Sequence, residues 1–208
     1  IKTGSAELHD TKISFELLPD GRVRVVAAGA NGFGGKFSVQ PFSFAPASGA
    51  IDFTVQATNL ELGQIRIVLD AQQQRIREAV GRVSGKVALH FDKEGLRIGQ
   101  GALTMRKGEL ARILFQPTPG LFTSYVPATI RPYYRGFEPI ELGKLSLVMS
   151  AFQIKFYPDG EQADRSMLIQ LQGNSSDARF PAPIDEDINV NGPLQQAIHS
   201  FLSLGRKH

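Results

Sequence analysis

The sequence predicts a mainly β protein: a long, curved antiparallel sheet folded over on itself, taco-like or as an open sandwich, with a C-terminal amphipathic helix and one or two short helices. Three observations predict it. Period-two alternation of apolar and polar residues recurs along the chain. Acidic-glycine turns join the alternating segments in pairs. A composition of 21 Gly, 12 Pro and 14 Phe in 208 residues suits short strands between turns.

The pairs are explicit. Ile13-Ser14-Phe15-Glu16-Leu17 runs through Pro19-Asp20-Gly21 to Val23-Arg24-Val25. Val87-Ala88-Leu89-His90-Phe91 runs through Glu94-Gly95 to Leu96-Arg97-Ile98. Phe152-Gln153-Ile154-Lys155-Phe156 runs through Pro158-Asp159-Gly160 to the strand Met167 to Leu171. Each reads as a hairpin, because glycine supplies the positive φ that such turns need. Ile51-Asp52-Phe53-Thr54-Val55 is a further alternating strand, and Phe37-Ser38-Val39 and Leu145-Ser146-Leu147 are shorter ones. Consecutive pairing of some nine strands gives an antiparallel sheet with one apolar face.

Two stretches depart from this rhythm. Leu62, Ile65, Leu69, Ile76 and Val80 stand at helical spacing, although Ile65-Arg66-Ile67 also fits a strand. Near the C-terminus, Pro193 suits a first helical position, and Leu194, Ala197, Ile198, Phe201 and Leu202 follow at helical intervals toward Gly205. Residues 116–140 hold five prolines with Phe122, Tyr125, Tyr133, Tyr134 and Phe137. Prolines at this density interrupt regular structure, so the stretch reads as a short helical turn near Leu121–Tyr125 and then an irregular, aromatic-lined crossover. Residues 174–183 read as a polar loop. No flexible linker intervenes, so residues 1–208 are expected to form a single β-rich domain.

Composition narrows the function classes. The net charge of +3 is spread along the chain, with no run of five basic residues, which argues against a nucleic-acid partner. Absence of cysteine excludes disulfides and thiol chemistry. No apolar run approaches the ~20 residues that span a bilayer.

Catalytic and metal constellations are not evident. His9, His90, His199 and His208 lack a metal-ligand spacing. His90 alternates with Leu89 and Phe91, and so points off the apolar face. Asn31-Gly32-Phe33-Gly34-Gly35 is followed by the strand-like Phe37-Ser38-Val39 rather than a helix, and reads as a tight turn or bulge instead of a phosphate loop. Asp185-Glu186-Asp187 reads as a solvated strand start. No enzyme activity, cofactor or metal is expected.

The notable feature is the amount of one-sided apolar surface. Such a face either closes into an ordinary core or leaves a trough for an apolar ligand, and periodicity alone does not separate the two.

An ordered series of landmarks adds to this reading. Asn31-Gly32-Phe33-Gly34-Gly35 leads to Gln40-Pro41. Asn59-Leu60-Glu61-Leu62 leads to Gly81-Arg82-Val83-Ser84-Gly85-Lys86-Val87. Glu94-Gly95-Leu96-Arg97-Ile98 leads to Gly99-Gln100-Gly101-Ala102-Leu103. Tyr157-Pro158-Asp159-Gly160 precedes Leu171-Gln172-Gly173-Asn174, and Ile188-Asn189-Val190-Asn191 precedes the Leu-rich segment from Leu194 to Leu204. In this order they resemble the C-terminal region of the YdbH-like proteins, a branch of the AsmA-like bridge proteins of Gram-negative bacteria. The chain departs from the family habit at Lys107-Gly108-Glu109 and at Asn174-Ser175.

The resemblance implies a C-terminal fragment of a larger bridge protein anchored in the inner membrane. It implies a periplasmic, cell-envelope location and an apolar groove through which phospholipid tails pass passively between inner and outer membranes. The inward alternates are the groove candidates: Phe15, Phe53, Val87, Leu89, Phe91, Ile98, Leu103, Phe152, Ile154, Phe156, Ile169 and Leu171. The expected partners are a phospholipid or other acyl-chain ligand, and an outer-membrane or envelope protein paired on an edge strand. The alternative is a closed β-sandwich that presents the aromatic crossover to a protein partner as an interaction or structural module of the envelope.

Overall fold

In the computed structural model, residues 8–69, 75–158 and 165–191 are described. Strand β1 (His9–Leu17) turns at Gly21, whose φ is +79°, into β2 (Val23–Gly32). Asp20 holds that turn by accepting the Arg22 backbone N–H at 3.1 Å and its Nε at 2.7 Å. Strand β2 passes into β3 (Gly35–Val39) through Phe33 and Gly34, both at positive φ, with Gly32 opposite Gly35. Two positive φ values in a two-residue loop match the twist of the flanking strands. The glycine-rich stretch is therefore a hairpin turn.

Strand β4 (Phe42–Phe44) pairs back on β2, and a 3-10 turn over Pro46–Ser48 leads to β5 (Ile51–Glu61). Then follow α1 (Leu62–Leu69), β6 (Ile76–Val80), β7 (Arg82–Asp92), β8 (Gly95–Met105) and β9 (Ala111–Phe115). A long crossover carries a 3-10 turn at Arg131–Tyr133 and helix α2 (Phe137–Glu141). Strands β10 (Leu147–Phe156), β11 (Arg165–Ser175) and β12 (Ile184–Asn191) complete the sheet.

All pairings are antiparallel, and the main path runs β1-β2-β3-β5-β7-β8-β10-β11-β12. The sheet forks at β10. Gln153–Phe156 pair with β8, whereas Leu147–Met149 pair with β9, which in turn carries β6. The fold class is the mainly β, open antiparallel sheet that alternation predicts.

Several details differ from the expectation. Twelve strands form, rather than about nine. The helical spacing from Leu62 to Val80 covers two elements, because α1 ends at Leu69 and Ile76–Val80 is a strand on β9. An irregularity between Ile76 and Glu78 breaks the period of two there, so the spacing of Ile76, Ala79 and Val80 imitates a helix. The Leu145–Leu147 strand begins only at Leu147. Helix α2 was not anticipated. The predicted C-terminal helix and the Asp159-Gly160 turn lie outside the described residues. Among the described residues, no helix is long and apolar enough to cross a membrane.

The core lies at one end of the sheet. Leu60, Leu62, Ile65, Val83 and Met105 are buried with Ile113, Phe137, Ile140, Leu147, Met149, Phe152 and Ile154. Helix α1, the β6–β9 pair and α2 thus contribute to one apolar cluster on the sheet.

Candidate functional site: an apolar face closed at one end

Directly opposed residues of neighbouring strands share a face. Following the register from strand to strand traces that face. Ile13 opposes Ala28, which opposes Val39, then Val55, Val87, Gly101, Phe156 and Met167. Eight strands thus contribute one unbroken apolar row. A neighbouring row runs Ala30, Phe37, Ala57, Gly85, Leu103, Ile154 and Ile169. One row on the other face reads Gly29, Ser38, Gln56, Lys86, Ala102, Lys155 and Leu168, four of them polar and two of these lysines.

Bulges keep this face in phase. Val26 in β2, Thr58-Asn59 in β5 and Gly99-Gln100 in β8 each add a residue opposite a single partner interval. Without them the residues beyond would swap faces, because side chains alternate with a period of two. Asn59 takes a φ of +57° at its bulge, and its amide donates to Ser84 Oγ at 2.8 Å. Asn is one of the few non-glycine types that tolerate this region.

Burial falls steadily along the strands. Leu60, Val83 and Met105 are buried, as are Ala57, Leu103 and Ile154 in the next row. Val55, Val87 and Phe156 are half-buried, and so are Phe53, Leu89 and Ile98 beyond them. Phe91 at the far end is 48% exposed. On β1, Ile13, Phe15 and Leu17 are 63%, 70% and 75% exposed. The same face is a packed core at one end and bare at the other.

The sequence-derived candidates divide along this gradient. Leu103, Phe152, Ile154, Ile169 and Leu171 sit in the covered part. Phe53, Val87, Leu89, Ile98 and Phe156 line the half-open part, and Phe15 and Phe91 lie on the exposed part. Sequence reading missed Phe42 and Phe44, which oppose Val25 and Val23 on this face. Phe42 stacks on Phe53 at 5.6 Å and on Phe44 at 6.0 Å. Their Phe-Ser-Phe alternation was the available signal, but three residues are too few to stand out. A hollow of about 290 Å³ lies beside this pair, bordered by Pro41, Phe42, Phe53 and Leu89 but also by Gln40, Asp52, Thr54 and His90.

Two polar sites lie off this face. His90 stands between two carboxylates, with Nδ1 2.6 Å from Asp52 and Nε2 3.1 Å from Asp92. Arg97 also pairs with Asp92. The hydrogen bond to Asp52 holds the imidazole pKa above its ordinary value against partial desolvation, and Asp92 adds to it. The sequence placed His90 on the polar face but did not reveal its partners, which come from β5 and the end of β7. The second site is Glu141, 3% exposed on α2. Its carboxylate accepts the backbone N–H groups of Phe122 and Thr123 at 3.0 and 3.1 Å and the Thr123 hydroxyl at 2.8 Å. Burial pushes its pKa up, but these donors outweigh it and hold the carboxyl below its usual range. Both sites brace the scaffold, His90 across β5, β7 and β8, Glu141 between α2 and the crossover.

These features define an open-faced antiparallel β-sheet protein, apolar along one face and capped at one end. Its kinship is specific: the family model described as YdbH-like, Intermembrane phospholipid transport protein YdbH, matches residues 1–112, and the chain belongs to this family. The matched segment ends inside β9, so it contains the first three sequence landmarks and the whole bare end of the face. This is a lipid-transport family, not an enzyme family, and an intermembrane transport protein belongs to the cell envelope. No match is found among curated proteins or among solved structures.

Proposed function

We propose that the chain is a periplasmic bridge segment whose bare apolar face takes phospholipid tails and passes them between the inner and outer membranes without energy input. The observation that carries this reading is the unbroken row from Ile13 to Met167 across eight strands. Met167 closes the row as a buried residue, and from Ile13 to Phe156, at about 4.8 Å per strand spacing, the row extends roughly 29 Å. A bilayer hydrocarbon core is about 30 Å thick and holds two opposed tails, so the row exceeds the length of one tail.

The physics is transfer of surface. Hydrocarbon leaving water gains about 25 cal/mol per Å² of apolar area covered. A face of uniform chemistry offers no deep site, so a tail shifts along it without crossing a large barrier, while the headgroup stays in solvent at the open side. No covalent step is needed, and the chain acts as a conduit and not as an enzyme. The half-buried and exposed candidates, Phe15, Phe53, Val87, Leu89, Phe91, Ile98 and Phe156, form the working surface. Leu103, Phe152, Ile154, Ile169 and Leu171 form the wall beneath the capped end.

In this reading residues 1–208 act as one domain of a longer bridge anchored in the inner membrane. Among the described residues β1 and β12 end the main path of the sheet, and their outer edges offer backbone groups for pairing with an envelope protein by strand addition. Deleting β1 or β12 should abolish capture of such a partner, and capture that survives both deletions overturns the pairing.

Native mass spectrometry of the purified chain, with a fluorescent fatty acid as probe, tests the conduit. Copurified phospholipid and probe binding that is lost on Phe53→Asp are expected. A chain without lipid and without probe affinity overturns the proposal.

A further inference from the structure

The crossover between β9 and β10 presents a surface that neither the core nor the apolar face uses. Its inner side chains are accounted for. Phe122 packs edge-on against Phe115 at 5.4 Å and stacks on Phe137 at 6.1 Å, and Tyr134 stacks on Phe137 at 5.5 Å. Its outer side chains are not. Tyr125 is 85% exposed, Tyr133 75% and Ile130 40%. Phe180 joins them from the β11–β12 loop, where Pro181 accepts the Gly136 amide at 3.0 Å.

The segment is wound and held. Successive backbone bonds close turns from Tyr125 to Phe122, Ile130 to Pro127, Tyr133 to Ile130 and Tyr134 to Arg131. Glu141 fixes its start. The outward rings therefore ride on an ordered platform. Between them, a hollow of about 400 Å³ opens along Tyr125, Ile130 and Tyr134 toward Pro183 and Ile184.

Charge identifies the partner. Residues 116–137 contain Arg131 and Arg135 and no acidic residue, while exposed Glu138 follows on α2 and Asp185 stands at the far rim of the hollow. The Nε atoms of these arginines donate to the Val126 and Pro132 carbonyls at 2.9 and 3.1 Å, which ties both guanidinium groups to the backbone of the segment that carries the exposed rings. Neither has a carboxylate within ion-pair reach among the described residues. Tyrosines with an apolar body and a polar tip belong at the headgroup level of a bilayer, and free arginines attract anionic headgroups. We infer that the crossover is a membrane-surface contact: Tyr125, Ile130 and Tyr133 enter the headgroup layer of an anionic bilayer, with Arg131 and Arg135 against lipid phosphates. This inference does not require the apolar face to carry lipid.

Sedimentation of the full chain with vesicles tests it, comparing phosphatidylethanolamine containing a minority of phosphatidylglycerol with phosphatidylcholine alone. Preferential binding to the anionic vesicles is expected, weakening as salt rises. Arg131→Gln with Arg135→Gln should weaken that binding on the order of tenfold or more. Arg131→Lys with Arg135→Lys should restore most of it. Tyr125→Ser with Tyr133→Ser should weaken binding to a similar degree. These positions are exposed, so unchanged melting confirms a folded variant, and Phe53→Asp should leave vesicle binding intact. Equal binding to both vesicle types, no binding to either, or full binding by both double variants overturns the inference. Loss of a protein contact in these variants without any vesicle binding would assign the surface to a protein instead.

Discussion

Phe42 and Phe53 stack with ring centroids 5.6 Å apart and planes inclined by 21°, on a face that is only half-buried. Two stacked rings left partly in water mark the difference between a lining and a core. Phe53→Ser is expected to cost about 1 kcal/mol or less beyond the small apolar area it still covers, yet to abolish binding of a fluorescent fatty acid. Ile154→Ala, 1% exposed on the same face, should cost about 2–5 kcal/mol through its cavity. Denaturant melts and probe titrations on both variants check the contrast. Equal stability losses would mean that the face is a core throughout.

Glu141 contributes a pH dependence whose sign is fixed by its surroundings. Its folded pKa lies below the ordinary carboxylate value, because amide and hydroxyl donors outweigh burial. The contribution is therefore full above the unfolded pKa and disappears as pH falls through the folded one. Glu141→Gln turns one acceptor oxygen into a donor facing backbone N–H groups, and should cost about 1–3 kcal/mol at neutral pH. The gap in melting temperature between the two proteins should narrow as pH falls below the ordinary carboxylate value of 4.5. A gap constant with pH would show that the charge of Glu141 plays no part.

Much of this architecture was legible because alternation reports directly on a sheet with one apolar face. Ile13 to Leu17, Val87 to Phe91 and Phe152 to Phe156 each show a clean period of two and each became a strand. Strand β6 was not legible, since its irregular pairing with β9 spaces Ile76 and Val80 like a helix. Helix α2 is five residues long and contains Pro139, which hides it among turns. The gradient from packed to bare was beyond periodicity altogether. Val83 and Phe91 both stand on β7 with the same alternation, yet one is 1% and the other 48% exposed. That contrast depends on where α1, β9 and α2 lie over the sheet. The partners of His90 were hidden for the same reason, because Asp52 is 38 residues away.

His90 should titrate in the opposite sense to Glu141. Its pKa is raised above 6.5, first by the hydrogen bond to Asp52. The stabilisation is then fully present below the unfolded pKa and fades as pH rises through the folded one. Partial desolvation and Arg97 on β8 oppose protonation, while Asp52 and Asp92 favour it. Asp52→Asn should lower the midpoint of the His90 ring resonance in an NMR titration and reduce the pH-dependent part of the stability above the ordinary histidine value of 6.5. A midpoint at or below 6.5 in the parent protein contradicts the reading.

Gly136 determines whether the crossover stays docked. Its φ of −81° suits any residue, so the need for glycine is one of space rather than backbone strain. A Cβ there would stand 2.1 Å from the Phe180 carbonyl oxygen and 2.9 Å from the Ala182 methyl, and the first of these is backbone. The same glycine donates its amide to Pro181, so relief by separation would also lengthen that bond. Gly136→Ala should therefore destabilise by about 1–3 kcal/mol, as overpacking of a close contact does. Amide exchange should accelerate across residues 121–141 and in the loop around Phe180, but not in β1 and β2, which begin the strand order while β10, β11 and β12 end it. Loosening this end should also expose Phe152 and Ile154, extending the bare part of the face toward the capped part. An alanine variant with parent-like melting and exchange would mean that the crossover is held elsewhere, with Glu141 as the remaining anchor.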